Sequence, residues 1–216
     1  MFKLFQMALL SLLIAGNISA ASTDQGSKKA APMLVISCSL NTTSNGANLA
    51  KYAFEHLKSQ GQDVELVDLR DYKLPMANGH GQSAYDDPQV KVLHDKILKA
   101  GAILIVAPIY NNNVAAVAKN LVELTTHAHK DVLSGKAWRG KVVGFMGTAG
   151  GRGATWSFFP FINGLMVDSK IVFVPSFVLA TGEDFNASGQ VTDEIKNKVD
   201  MLDMEMIRLS SALGAK

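Results

Sequence analysis

Three stretches of the chain place polar or glycine-rich residues at the end of an apolar run. The first is Ser39-Leu40-Asn41-Thr42-Thr43-Ser44-Asn45-Gly46-Ala47-Asn48. It follows Met33-Leu34-Val35-Ile36, which reads as a buried strand. It precedes Leu49, Ala53 or Phe54, and Leu57 at three-to-four spacing, which predicts a helix starting near Asn45. Backbone N–H groups in the first turn of a helix lack intrahelical acceptors, and the helix dipole favours negative charge there. Hydroxyls of Ser39, Thr42, Thr43 and Ser44 and the amides of Asn41, Asn45 and Asn48 are donors suited to phosphate oxygens. The chemistry on offer is anion binding. The same residue types also build an ordinary βα loop with a Ser or Asn N-cap.

The second stretch is Pro108-Ile109-Tyr110-Asn111-Asn112-Asn113, at the end of the continuous apolar run Ala102–Ala107. Such a run suits a central parallel strand covered on both faces. The third is Gly147-Thr148-Ala149-Gly150-Gly151-Arg152-Gly153, after Lys141-Val142-Val143-Gly144-Phe145-Met146. Small residues there let backbone approach a ligand closely.

Other reactive residue types are less organised. Cys38 is the single cysteine and has no disulfide partner; with no identifiable partner His it reads as a buried packing residue. His127 and His129 lack a third ligand and read as a polar helix end, so no metal site is expected. Gly79-His80-Gly81-Gln82-Ser83-Ala84 matches a dinucleotide fingerprint in letters only, since no strand directly precedes it. Trp138, Trp156, Phe158, Phe159 and Phe161 read as core or subunit interface, and the 156–161 cluster is the better interface candidate.

The elements that must position these stretches alternate regularly. Val64–Leu69 is a second strand, and Ile171–Val174 a fifth. Asp87-Pro88 opens a helix with apolar Val90, Leu93 and Ile97. Further helices are expected from about Val114 to Thr126, from the glycine-rich stretch to about Met166, and from near Thr192 with Ile195, Val199, Leu202 and Met206. Strand and helix alternate five times, so the fold class is α/β with a parallel sheet. In such sheets ligands bind beyond the carboxyl ends of the strands, where strand order reverses. The three stretches follow strands one, three and four, and all lie on that edge.

The N-terminus forms its own unit. Lys3 precedes an apolar run from Leu4 to Ala15, and Ile18-Ser19-Ala20 supplies a small-residue cleavage site. This is the layout of a secretory signal peptide over 1–20, with a retained N-terminal anchor as the competing reading, followed by a linker over 21–31 and one domain over 32–216. The run is shorter than the roughly 20 residues a spanning helix takes, so no stable membrane span is expected after cleavage. Export to the periplasm or medium follows. Loss of 1–20 removes Lys3 and no acid, lowering the formal charge from +2 to +1. That balance gives no reason to expect a nucleic-acid partner.

From Met33 onward the chain resembles the NADPH-dependent FMN reductases of flavodoxin-like fold, a group that includes chromate, quinone and azo-dye reductases. The motifs are Ser39-Leu40 through Ser44 to Leu49-Ala50, Asp68-Leu69-Arg70 with Leu74-Pro75, and Pro108-Ile109-Tyr110-Asn111 leading to Lys119-Asn120. Gly135-Lys136-Ala137 and Gly147–Gly151 complete the set. The resemblance implies a three-layer α/β/α fold with strand order 2-1-3-4-5. It implies FMN, with its phosphate on Ser39, Asn41 and Ser44, and with Asn45, Gly46 and Asn48 nearby. Pro108, Tyr110, Asn111 and Asn112 would line the isoalloxazine ring. The backbone of Gly147, Thr148, Ala149, Gly150 and Gly151 would face its polar edge. Tyr110, Arg152, Trp156 and Phe158 would border the open face. It implies NADPH or NADH as electron donor, a small-molecule acceptor such as a quinone or flavin, no catalytic side chain, and a homodimer or homotetramer. The sequence departs from the family at Asn41, where many members have Arg, at Cys38 for Gly and at Gly46 for Asn. An exported chain meets no NADPH, so a non-enzymatic FMN carrier or electron shuttle is the alternative. A domain that no longer binds flavin is the third.

Overall fold

The computed structural model describes residues 31–79, 83–126 and 136–214. The expected signal peptide, most of the linker, residues 80–82, His127, His129 and Gly135 lie outside them. The elements run β1 (Met33–Ser37), α1 (Asn45–Ser59), β2 (Val64–Asp68), α2 (Pro88–Lys99) and β3 (Ala102–Tyr110). They continue with β4 (Asn113–Val114), α3 (Ala116–Thr126), β5 (Val142–Ala149), α4 (Phe159–Ser169), β6 (Val172–Thr181) and α5 (Asp193–Ala212).

Five parallel strands take the order β2-β1-β3-β5-β6, the arrangement expected once the two-residue β4 is set aside. Alternation along the strands divides the core. Leu34 and Ile36 of β1 and Ile103 and Ile105 of β3 face α2, α3 and α4. Met33 and Val35, with Ala102, Leu104 and Val106, face α1 and α5. Both faces are therefore covered, which is why β3 reads as an unbroken apolar run. At Gly144 in β5 an added Cβ would stand 2.5 Å from Met206 Sδ and 3.1 Å from Leu104 Cδ1. Glycine here lets α5 lie close on the sheet.

Three elements depart from the sequence expectation. Asn111 and Asn112 have φ of 50° and 58°, so the chain reverses and Asn113–Val114 pairs antiparallel with Ile109–Tyr110. This hairpin delays α3 to Ala116. β6 continues past Pro175, where a strand ending at Val174 was expected. β6 is an edge strand with a register shift opposite Val143–Phe145, which is where proline is tolerated in a sheet. α4 begins only at Phe159, because a 3-10 turn over Arg152–Ala154 and further turns fill the gap after β5.

Two separated motifs prove to be one contact. The buried Asn120 accepts from Ala77 N at 2.8 Å and donates from Nδ2 to Pro75 O at 2.9 Å. The carboxamide thus latches the segment after β2 onto α3 by satisfying its backbone.

Candidate functional site

β1 sits between β2 and β3, so chain connections leave β1 and β3 toward opposite sides of the sheet. A crevice at the carboxyl edge of such strands is dictated by topology. The structure has an open cleft there of ≈ 540 Å³.

Its first wall is the loop from β1 to α1. Ser44 is the N-cap of α1, in extended backbone, and its Oγ accepts from Ala47 N at 3.1 Å. Asn45 and Gly46 follow as the first helical residues, so their N–H groups have no intrahelical acceptor. Ser39 Oγ accepts from Asn41 N at 3.4 Å, and Asn41 Oδ1 accepts from Thr43 N at 3.1 Å. In both serines the oxygen serves as acceptor, which leaves the hydroxyl hydrogen free to donate to a ligand. Gly46 forms the floor. A Cβ built on it would lie 3.4 Å from Ser44 Oγ, 3.6 Å from Thr148 Oγ1 and 3.9 Å from Ser39 Cβ. A side chain here would fill a cradle ringed by three hydroxyl-bearing residues.

The second wall is the end of β3. Pro108, Ile109 and Tyr110 line the cleft, and Tyr110 is 55% exposed. Tyr110 stands at the mouth of the hairpin made by Asn111 and Asn112. Positive φ at both central residues marks a mirror-image turn, a geometry asparagine tolerates better than most residues.

The third wall comes from β5 and β6. β5 runs on to Ala149, so Thr148 and Ala149 approach the cleft from a strand end and Gly150 from the loop beyond. Thr181 and Gly182 at the end of β6 also line it. Asp184 ties the two loops together: Oδ2 accepts from Thr181 N at 2.7 Å and Oδ1 from Arg152 Nη2 at 2.9 Å. Burial alone would raise the Asp184 pKa. The hydrogen bonds from Thr181 and Arg152 outweigh it and hold the carboxyl below its ordinary value.

The cleft thus gathers Ser39, Asn41, Ser44, Asn45 and Gly46 from the first stretch, Pro108 and Tyr110 from the second, and Thr148, Ala149 and Gly150 from the third. It leaves out five of the expected phosphate and ring contacts, and Arg152, Trp156 and Phe158 of the expected open face also lie outside its lining. Asn48 lies about 200° around the helix from Gly46 and lines a separate groove with Tyr52 and Gly189. Asn111 borders a neighbouring cavity with Pro160 and Phe161, and Asn112 shapes the turn. Gly147 packs beneath Leu179, Phe145 and Ile109, whereas a Cβ built on Gly151 would point into open space, and the Gly151 carbonyl accepts from Ala154 N at 3.3 Å. Sequence reading missed Thr181 and Gly182. The signal was present as a polar Thr-Gly break after an apolar run, Val178-Leu179-Ala180.

Cys38 is fully buried, and burial pushes its thiol pKa far up, so it packs the core under the loop. Among the described residues none lining the cleft is charged. The arrangement offers neutral donors and a helix dipole to an anion at one end, and proline, tyrosine and bare backbone to a flat group at the other. The aromatic cluster divides: Trp138, Phe158 and Phe161 are buried, while Trp156 and Phe159 are exposed.

Known proteins resemble this chain in sequence and fold. The chain is 27% identical over 156 residues to an NAD(P)H-dependent FAD/FMN reductase of Geobacillus thermodenitrificans, spanning 70% of this chain and 77% of that one. It is 27% identical over 166 residues to an NADPH:quinone oxidoreductase of Arabidopsis thaliana, spanning 74% and 81%. The flavoenzyme NAD(P)H:(acceptor) oxidoreductase FerB from Paracoccus denitrificans has a similar fold, with a TM-score of 0.63 at 25% identity over 82% of this chain and 97% of that one. Residues 32–186 match the model of the NADPH-dependent FMN reductases, and the chain belongs to that family.

Proposed function

We propose that this protein is an FMN-dependent NAD(P)H oxidoreductase whose cofactor lies in the cleft at the carboxyl edge of the sheet. The phosphate would sit on Ser39, Asn41, Ser44 and the N–H groups of Asn45 and Gly46. The ring would lie against Pro108 and Tyr110, with the backbone of Thr148–Gly150 at its polar edge. FMN held there would supply the redox chemistry between NADPH or NADH and a small acceptor such as a quinone. The chain's own task is to bind, orient and leave one ring face open. An uncharged cleft suits that task, since no side-chain acid or base is required. The observation that carries this reading is the convergence of a capped helix N-terminus, an exposed tyrosine and a small-residue strand end on one cleft. Fluorescence titration of the purified protein with FMN, followed by NADPH and NADH oxidation with a quinone present, tests it. Saturable one-to-one binding and turnover are expected. Bound FMN without nicotinamide turnover would favour the electron-shuttle reading, and lack of saturation would remove FMN from the cleft.

We further propose export, on the layout of residues 1–20. Fractionation and N-terminal sequencing should find a mature chain beginning at Ala21. No described helix is long and apolar enough to cross a membrane. The exposed pair Trp156 and Phe159, with Trp156 against Phe177 at 5.2 Å between ring centroids, supports a homodimer or homotetramer formed on that face. Sedimentation of the Trp156→Glu variant should then show a smaller species than the parent.

A further inference from the structure

An anion-binding loop must turn its N–H groups toward the ligand and its carbonyl oxygens away. Side chains within the loop from β1 to α1 fix several of its N–H groups, as described above. The carbonyls of Asn41 and Thr42 are held from outside, by a residue of the loop after β2. Arg70 Nη1 donates to Asn41 O at 3.4 Å and to Thr42 O at 3.2 Å. Asn41 lines the cleft and Arg70 does not, so this contact holds a cleft-lining peptide from outside the ligand space. In a trans peptide the carbonyl and the following N–H point in opposite directions, so the same contact turns the Thr42 N–H away from Arg70.

The arginine is itself locked. Its Nε donates to Asp68 Oδ1 and Oδ2, both at 3.0 Å, and Nη2 also donates to Oδ2. Asp68 is the last residue of β2, in register with Ser37 of β1, and it caps the 3-10 turn Leu69–Asp71 by accepting from Arg70 N at 3.0 Å. Burial alone would raise the Asp68 pKa. The Arg70 hydrogen bonds and charge outweigh it, so the carboxylate stays ionised and the fork stays closed. The guanidinium therefore has one edge fixed to the sheet and the other offered to the loop. A planar fork with five donors does both at once with fixed geometry, which a point-like ammonium on a flexible stem lacks.

We propose that Arg70 is the positioning residue of the phosphate loop, setting the cleft's preference for a phosphorylated flavin over riboflavin without touching the ligand. The inference rests on the reading of the cleft as an FMN site. Its test compares FMN with riboflavin, which lacks the phosphate, in the parent protein, Arg70→Ala and Arg70→Lys. Arg70→Ala should weaken FMN binding roughly tenfold, the loss of about one charge-assisted hydrogen bond, and leave riboflavin binding unchanged. Arg70→Lys should recover only part of the FMN affinity. Riboflavin binding doubles as the check that the variant is folded, with thermal unfolding as a second check. Equal weakening of both ligands would show a general structural role and overturn the proposal, as would unchanged FMN affinity in Arg70→Ala. Failure of the parent protein to bind FMN would overturn the cleft reading and this inference with it.

Discussion

At the residue scale, several side chains expected from the sequence as ligand contacts also answer backbone needs. Asn112 has φ of 58° and serves the hairpin that carries Tyr110. Asn112→Gly should preserve or slightly raise the unfolding temperature, whereas Asn112→Val should cost about 1–2 kcal/mol, because a β-branched residue clashes at positive φ. Thermal unfolding of the two variants side by side checks this. Asp203 is the opposite case, an ionisable residue in the core. It is fully buried between α1 and α5, with His56 Nδ1 at 2.9 Å from Oδ2 and no partner for Oδ1 among the described residues. Tyr52 OH donates to the neighbouring Asp200 at 2.9 Å. Burial raises the Asp203 pKa to about 7, against the opposing contact with His56. The folded state then holds a proton that the unfolded chain releases near its ordinary value of 3.8. Stability contributed by that proton is full below about pH 4 and is lost as pH rises toward 7. Asp203→Asn should flatten this slope and gain on the order of 1 kcal/mol over the parent at pH 8, with the gain vanishing near pH 4. Denaturant melts at three pH values measure it, and a parallel slope in both proteins would refute the assignment.

At the element scale, the start of α1 does two jobs at once. Ser44 caps the helix through Ala47 N and also lines the cleft. These roles separate by substitution. Ser44→Ala should cost about 1 kcal/mol of stability, while Ser44→Gly should cost only a few tenths, since glycine is tolerated at the N-cap. Both remove the hydroxyl, so both should weaken FMN binding alike. Urea unfolding paired with FMN titration gives the two readouts, and FMN affinity that tracked stability would assign Ser44 a capping role alone. The latch of Asn120 onto Pro75 and Ala77 follows the same logic, with a helix side chain holding a loop by completing its hydrogen bonds.

At the scale of the whole molecule, the sheet places the cleft and the helices place the sheet. α5 lies closely on β5 because Gly144 has no side chain. Gly144→Val should overpack the layer between Met206 and Leu104 and destabilise the domain by about 1–3 kcal/mol. The strand end it displaces carries Thr148 and Ala149, so FMN affinity should fall with it. Calorimetry with and without FMN tests both effects in one preparation.

Local pattern was enough for much of this protein. Apolar runs of strand length and the three-to-four spacing of Leu49, Ala53 and Leu57 report which faces are buried, and burial is what periodicity encodes. The alternation of elements fixed a parallel sheet, and hence the edge on which Ser39, Tyr110 and Gly150 would meet. Tertiary structure alone decided which residues of that edge face inward. Asn48 leaves the cleft by rotation around α1, and Thr181 and Gly182 join it because β6 runs past a proline that an edge strand can absorb. The hold of Arg70 on carbonyls about thirty residues earlier, and the burial of Asp203 against His56, join parts of the chain that no window of sequence contains. Spacing along the chain sets which residues can share a face, but only packing and register set where that face points.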